Sequence, residues 1–171
     1  MAMLLVRAAR ITRPNDVTAY AVGDLLANSV TAGSVTPFTF AHDNVVQPVQ
    51  VMRFIMRSSN DTVTNKNFQL YLFSRSPTVT NGDNGAFAVT GPNGTDNLGG
   101  VFGSSAAVNT GAGSINYFYP MDAAGTFQNG WIPQVFTLPF YGLLKVNAAY
   151  TPTALETFDL TAEVDMISYG R

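Results

Sequence analysis

The residues of this chain that could do acid–base or metal chemistry are few. His42 is the single histidine, and it is followed by Asp43. A nucleophile–base pair needs an imidazole held by a carboxylate within reach of a hydroxyl or thiol. Here there is no cysteine and no Gly-x-Ser-x-Gly elbow, and His42 falls between two β-like segments where a turn is expected. One histidine without cysteines also excludes the multi-histidine and thiolate metal sites. Among the carboxylates, Glu156 precedes Asp159, Glu163 and Asp165. The last three alternate on one side of a strand, which predicts a solvated face rather than the facing acid pair of a glycosidase. Asn81–Gly85 and Asn93–Asn97 offer oxygens to a calcium ion. Neither has three spaced carboxylates, and turn chemistry accounts for both. Gly99-Gly100 and Gly111-Ala112-Gly113 lack the lysine and the strand–glycine–helix context of a phosphate loop. The expectation is a protein that is not an enzyme and holds no cofactor and no metal.

Composition narrows the class. The 171 residues suit one domain and a sizeable core. The net charge of −2 supplies no field to draw in nucleic acid, and none is expected as a direct partner. No apolar run approaches the roughly 20 residues that span a bilayer, so no membrane partner is expected either. Met1–Val6 is too short before Arg7 for a signal-peptide core, which reads as a chain kept in the cytoplasm until it is assembled. Charged residues are 12% of the chain, about half the usual share. With 12 Phe, 7 Tyr and 1 Trp the chain must still fold, leaving a surface of neutral polar residues suited to a packed subunit.

Period-two alternation positions these residues. Over Thr157–Met166 it is nearly unbroken, with Phe158, Leu160, Ala162, Val164 and Met166 on one side and Thr157, Asp159, Thr161, Glu163 and Asp165 on the other. Phe68–Phe73 is apolar enough to be covered on both faces, and Leu144, Val146, Ala148 and Tyr150 alternate. Further strands are expected at Leu4–Thr12, Leu25–Val30, Val35–Phe40, Val49–Arg57, Phe87–Thr90, Ser114–Tyr119 and Val135–Phe140. Asn-Gly pairs at 81, 93 and 129 and prolines at 37, 77, 120, 133 and 152 separate them. No helical periodicity competes. The fold class is all-β: a single-domain, jelly-roll-like β-sandwich, or a barrel, with residues 1–13 as an N-terminal arm or first strand and 14–171 as the sandwich.

Two further features concern surfaces. Gly91–Gly113 holds seven of the 15 glycines, which predicts a long loop rather than a core strand. Asn97–Leu144 contains one charged residue, Asp122, but also Tyr117, Phe118, Tyr119, Trp131 and Tyr141. Such a stretch is either inner strands or an interface core, and both can hold. The candidate interface residues are therefore Tyr117, Tyr119, Trp131 and Tyr141. Arg7, Arg10 and Arg13 join them as cations expected to pair with acids on a neighbouring strand or subunit.

The segment Ile11-Thr12-Arg13-Pro14-Asn15-Asp16-Val17-Thr18-Ala19-Tyr20-Ala21-Val22-Gly23-Asp24 resembles one that recurs near the start of small tailed-bacteriophage and prophage virion proteins. Leu144–Pro152 with Glu156-Thr157-Phe158 is similar to that family's closing hairpin, and Phe68–Phe73 with Pro77 and Asp83–Phe87 fits its middle. Asn15, Val17 and Val22 depart from the usual wording, and Gly91–Trp131 is not anchored by the likeness. Locally the motif reads as a folding signature, with Pro14 extending Arg13, Asn15-Asp16 closing a turn and Gly23-Asp24 closing a second. The resemblance implies a virion structural protein assembled in the cytoplasm of a bacterial host. It points to a head decoration or cement protein bound to the major capsid protein. A chain this poor in charge and rich in aromatics is expected to expose apolar patches, which predicts a homo-oligomer with a trimer favoured, or monomers held on a symmetric capsid lattice. A neck, tail, baseplate or fibre component is the alternative within that class. A carbohydrate-binding β-sandwich, with Trp131, Tyr117 and Tyr119 as stacking platforms, is the alternative outside it.

Overall fold

The computed structural model describes residues 3–42, 46–91, 98–121 and 134–167. Its strands are β1 (Met3–Arg7), β2 (Ile11–Thr12), β3 (Leu25–Leu26), β4 (Phe38–Phe40), β5 (Pro48–Ser58), β6 (Phe68–Phe73), β7 (Thr78–Val79), β8 (Val89–Thr90), β9 (Leu98–Ser104), β10 (Val108–Asn109), β11 (Ser114–Pro120), β12 (Gln134–Thr137), β13 (Phe140–Val146) and β14 (Thr157–Met166). A single 3-10 turn, Ala32–Ser34, is the only helical element among the described residues. The protein is all-β and sandwich-like.

One antiparallel sheet carries most of the chain, in the order β1-β14-β5-β11-β9-β6-β13-β3. The 11 residues of β5 organise it. One edge pairs with β14, and the other pairs with β11 through Phe54–Ser58 and with β12 through Pro48–Val51. β13 plays the same part further round, with β6 on one edge and both β4 and β3 on the other. The sheet curls until an antiparallel bridge between Ala8 and Phe40 joins the β1 side to the β4 side. Residues 3–12 therefore belong to the sheet. A right-handed twist favours such curling.

The inner surface is aromatic. Phe40 stacks on Phe140 at 4.8 Å, and Phe54 meets Phe102 edge-on at 5.0 Å, so strands distant in sequence share one core. Phe158, Leu160, Ala162 and Val164 of β14 all point into it and are buried, as their alternation predicts. Leu160→Ala should cost about 2–5 kcal/mol in urea unfolding, because the transfer and cavity terms add at a fully buried site. A loss below 1 kcal/mol would place Leu160 outside the core. The opposite side of β14 is less solvated than its pattern suggests. Asp159 and Asp165 are half-buried, but Thr161 and Glu163 are buried, paired in register with Ile55 and Arg53 of β5. Glu163 accepts two hydrogen bonds from the Arg53 guanidinium.

The largest correction falls on the glycine-rich segment. Within Gly91–Gly113, β9 is an inner strand with β6 on one side and β11 on the other. Its glycines are there for close approach. A Cβ on Gly99 would lie 2.3 Å from the Phe136 ring, and one on Gly103 would lie 2.2 Å from the Met121 sulfur. The charge-poor stretch thus supplies inner strands β9, β11 and β13.

Candidate functional site

The opening motif folds inward. Arg13, expected at an interface, is 1% exposed. Its guanidinium donates to Asp83 Oδ2 at 2.8 Å, to the Tyr20 hydroxyl and to the Asp16 carbonyl at 3.0 Å. Tyr20 in turn donates to Asp83 Oδ1 at 2.6 Å, which also accepts from the Ala27 amide at 2.8 Å. Local backbone explains how Asp83 reaches the interior. Gly82 lies so close to Val30 that a Cβ would sit 2.1 Å from its carbonyl carbon, and Asn84 takes φ 60°. The turn at 81–85 is therefore pressed against the chain beside β3, with the Asp83 amide on the Ser29 carbonyl at 2.7 Å. Both Asp83 oxygens are occupied by protein donors, so this carboxylate is not presented to a cation. The second acidic loop, Asn93–Asn97, lies outside the described residues.

Burial alone would lower the Arg13 pKa, but the charges and hydrogen bonds of Tyr20 and Asp83 outweigh it and the net direction is up. Burial, with Tyr150 and Asp83 nearby, holds the Tyr20 hydroxyl far above the usual phenol range. Tyr20 stacks on Tyr150 at 5.1 Å, and the Arg13 amide donates to the Glu156 carbonyl at 2.9 Å. The opening, middle and closing segments of the resemblance therefore meet in one place.

A second buried cluster lies beyond it. Lys66 Nζ lies within hydrogen-bond distance of four acceptors that share its three N–H groups: Glu156 Oε1 at 2.9 Å, Ser58 Oγ at 2.9 Å, Ser114 Oγ at 3.0 Å and the Asn60 carbonyl at 2.8 Å. Ser58 also donates to Glu156. Burial pushes the Lys66 amine below the ordinary lysine range, and Glu156 opposes this without reversing it. Neither the Lys66 nor the Glu156 side chain is exposed, so substrate has no access and the cluster acts as a staple.

Strands β1, β14, β5 and β11 also present an outward face. Register aligns Arg7, Thr161, Ile55 and Tyr117 as one row across the four strands. Asp159 and Arg57 lie opposite each other in a neighbouring row, with Arg10 reaching Asp159 through two hydrogen bonds at 2.9 and 2.7 Å. Met3 and Leu5, on the same side of β1 as Arg7, are 68% and 51% exposed. This face gathers Arg7, Arg10, Tyr117 and Tyr119 from the residues singled out in the sequence. It does not include Arg13, which is interior, or Tyr141. Tyr141 packs half-buried in a smaller cluster with Leu25, Phe73, Val79 and Leu143. Trp131 lies outside the described residues. His42 falls between β4 and β5, in neither strand. Arg53 and Arg57 join this face from β5. No local signal marks them, since their neighbours follow from strand order.

No family model matches the chain, and no curated protein matches it. The chemistry of the site must therefore speak for itself. Tyr117 has the Arg53 guanidinium over its ring at 5.4 Å, which leaves one of its faces occupied and makes it a poor stacking platform for a sugar. Among the described residues no group of three or more His, Cys, Asp or Glu could hold a metal ion. The arrangement presents cations, exposed aliphatics and partly covered tyrosines, which suit contact with a protein surface.

Proposed function

We propose that the protein is a structural component of a tailed-phage virion, a head decoration or cement protein that binds the capsid shell and stabilises it. One observation supports this reading. The three separated segments that carry the family resemblance meet at the Arg13–Tyr20–Asp83 network, so the residues of the likeness are framework residues of one domain. The polar clusters support a structural role, because the buried ones are closed ion pairs with no approach for a substrate. The β1–β14–β5–β11 face would meet the major capsid protein. Copies would sit at symmetric positions, as trimers or as single subunits on the lattice, where several weak contacts add up.

Cryo-electron microscopy of the parent particle tests this. Density for the β-domain on the outside of the head, at lattice-symmetric sites, is the expected result. Density at the neck, tail or baseplate would transfer the protein to that part of the virion. A mature particle without the chain would overturn the virion reading.

A further inference from the structure

The outward face contains an imbalance of charge that the fold itself does not resolve. A cleft of about 170 Å³ opens between β1 and β5 over β14, and its lining includes Arg7, Arg10, Arg57, Asp159 and Thr161. Three guanidinium groups share one carboxylate. Arg57 faces Asp159 directly across the strand pair, where opposite charges normally pair. Both Asp159 oxygens, however, are taken by Arg10. Among the described residues no ion pair reaches Arg7 or Arg57. Two uncompensated guanidinium groups therefore line one cleft, in a chain with only nine basic residues and a net charge of −2. Like charges held together in this way repel, and a bound anion removes the repulsion.

We infer that this cleft is an anion-recognition site, and that its occupant is the carboxylate side chain of a protein partner. Guanidinium forks match carboxylates in bidentate geometry, and Thr161, in register between Arg7 and Ile55, is among the residues that line the cleft. The surroundings select a protein rather than a nucleic acid. Exposed Met3 and Leu5 flank the cations along β1, giving an apolar edge beside a charged centre. A polynucleotide would need a broad basic stripe, and here Glu163 already occupies Arg53. Within the proposed function, on which the identity of the partner rests, the cleft would receive an acidic side chain of the capsid surface.

The test uses the full chain labelled with 15N, a hexaglutamate peptide as the probe, and the arginine Nε–H signals as the readout. The Arg13 signal, fixed by Tyr20, reports that the fold is intact. Hexaglutamate should shift the Arg7 and Arg57 signals saturably. Its affinity should fall about threefold in Arg57→Gln and about tenfold in the Arg7→Gln/Arg57→Gln double variant. Arg75→Gln removes an exposed charge elsewhere and should leave the affinity unchanged. Absence of a saturable shift, or equal weakening by Arg75→Gln, would overturn the site. Tighter binding of inorganic phosphate or a single-stranded oligonucleotide than of the peptide would overturn the assignment to a protein carboxylate. Particle microscopy reads the virion assignment separately, so failure of one is distinguishable from failure of the other.

Discussion

Asp83→Ala should lose about 3–5 kcal/mol of stability, a large part of the roughly 5–15 kcal/mol that holds a domain together. The reason is what stays behind. Arg13 and Asp83 have side chains 0% and 1% exposed, so deleting the carboxylate strands a guanidinium where water cannot reach it. The Tyr20 hydroxyl and the Ala27 amide lose the same acceptor. A buried donor without an acceptor is itself worth about 1–3 kcal/mol. Arg13→Met made together with Asp83→Ala should cost less than the two single losses added, because the stranded charge is gone. Urea unfolding of the four proteins in this cycle gives the coupling directly. A single Asp83→Ala variant within 1 kcal/mol of the wild type would show that the network does not hold the fold.

That network marks the boundary of what can be read from the chain. Thr157–Met166 and Phe68–Phe73 are found to the residue, because period-two alternation is a local property. Leu25–Leu26 follows the expected Gly23-Asp24 turn, with Gly23 at φ 97°. The Asp16 turn is equally local, with its carboxylate accepting from the Thr18 amide at 2.8 Å. Leu98–Ser104 fails for the opposite reason. Its glycines lower β propensity, and the Phe136 and Met121 side chains that require them lie well downstream. Arg13 stands beside a proline and looks solvent-facing, yet its burial depends on an acid 70 positions away. Val135–Phe140 reads as one strand but divides into β12 on β5 and β13 on β4 and β6. The cleft at Arg7 and Arg57 needs the order β1-β14-β5, and strand order is not a property of any window of sequence.

The Lys66–Glu156 cluster should show a dependence on pH opposite in sign to that of the tyrosine in the Arg13 network. Lys66→Met removes the cation but leaves Glu156 buried, with Ser58 and Asn60 as its remaining side-chain donors. The expected loss near neutral pH is about 3–5 kcal/mol. The second expectation comes from the sign of the shift. The folded-state pKa of Lys66 lies below its ordinary value of 10.5, because burial disfavours the ammonium. Between the folded and unfolded values the unfolded chain binds more protons, so this group makes stability rise with pH across that window. Tyr20 and Tyr150 act in the other direction. Their raised pKa values keep them protonated in the fold, so stability falls once the pH passes the usual phenol value of about 10. Subtracting the Lys66→Met curve from the wild-type curve cancels the tyrosines, which both proteins share. Urea midpoints at steps from pH 7 to 10.5 should then give a difference that changes with pH in the lysine's direction, the wild type gaining relative to the variant. A difference that stays flat over the whole range would mean that Lys66 keeps an ordinary affinity for its proton, with Glu156 offsetting the whole cost of its burial.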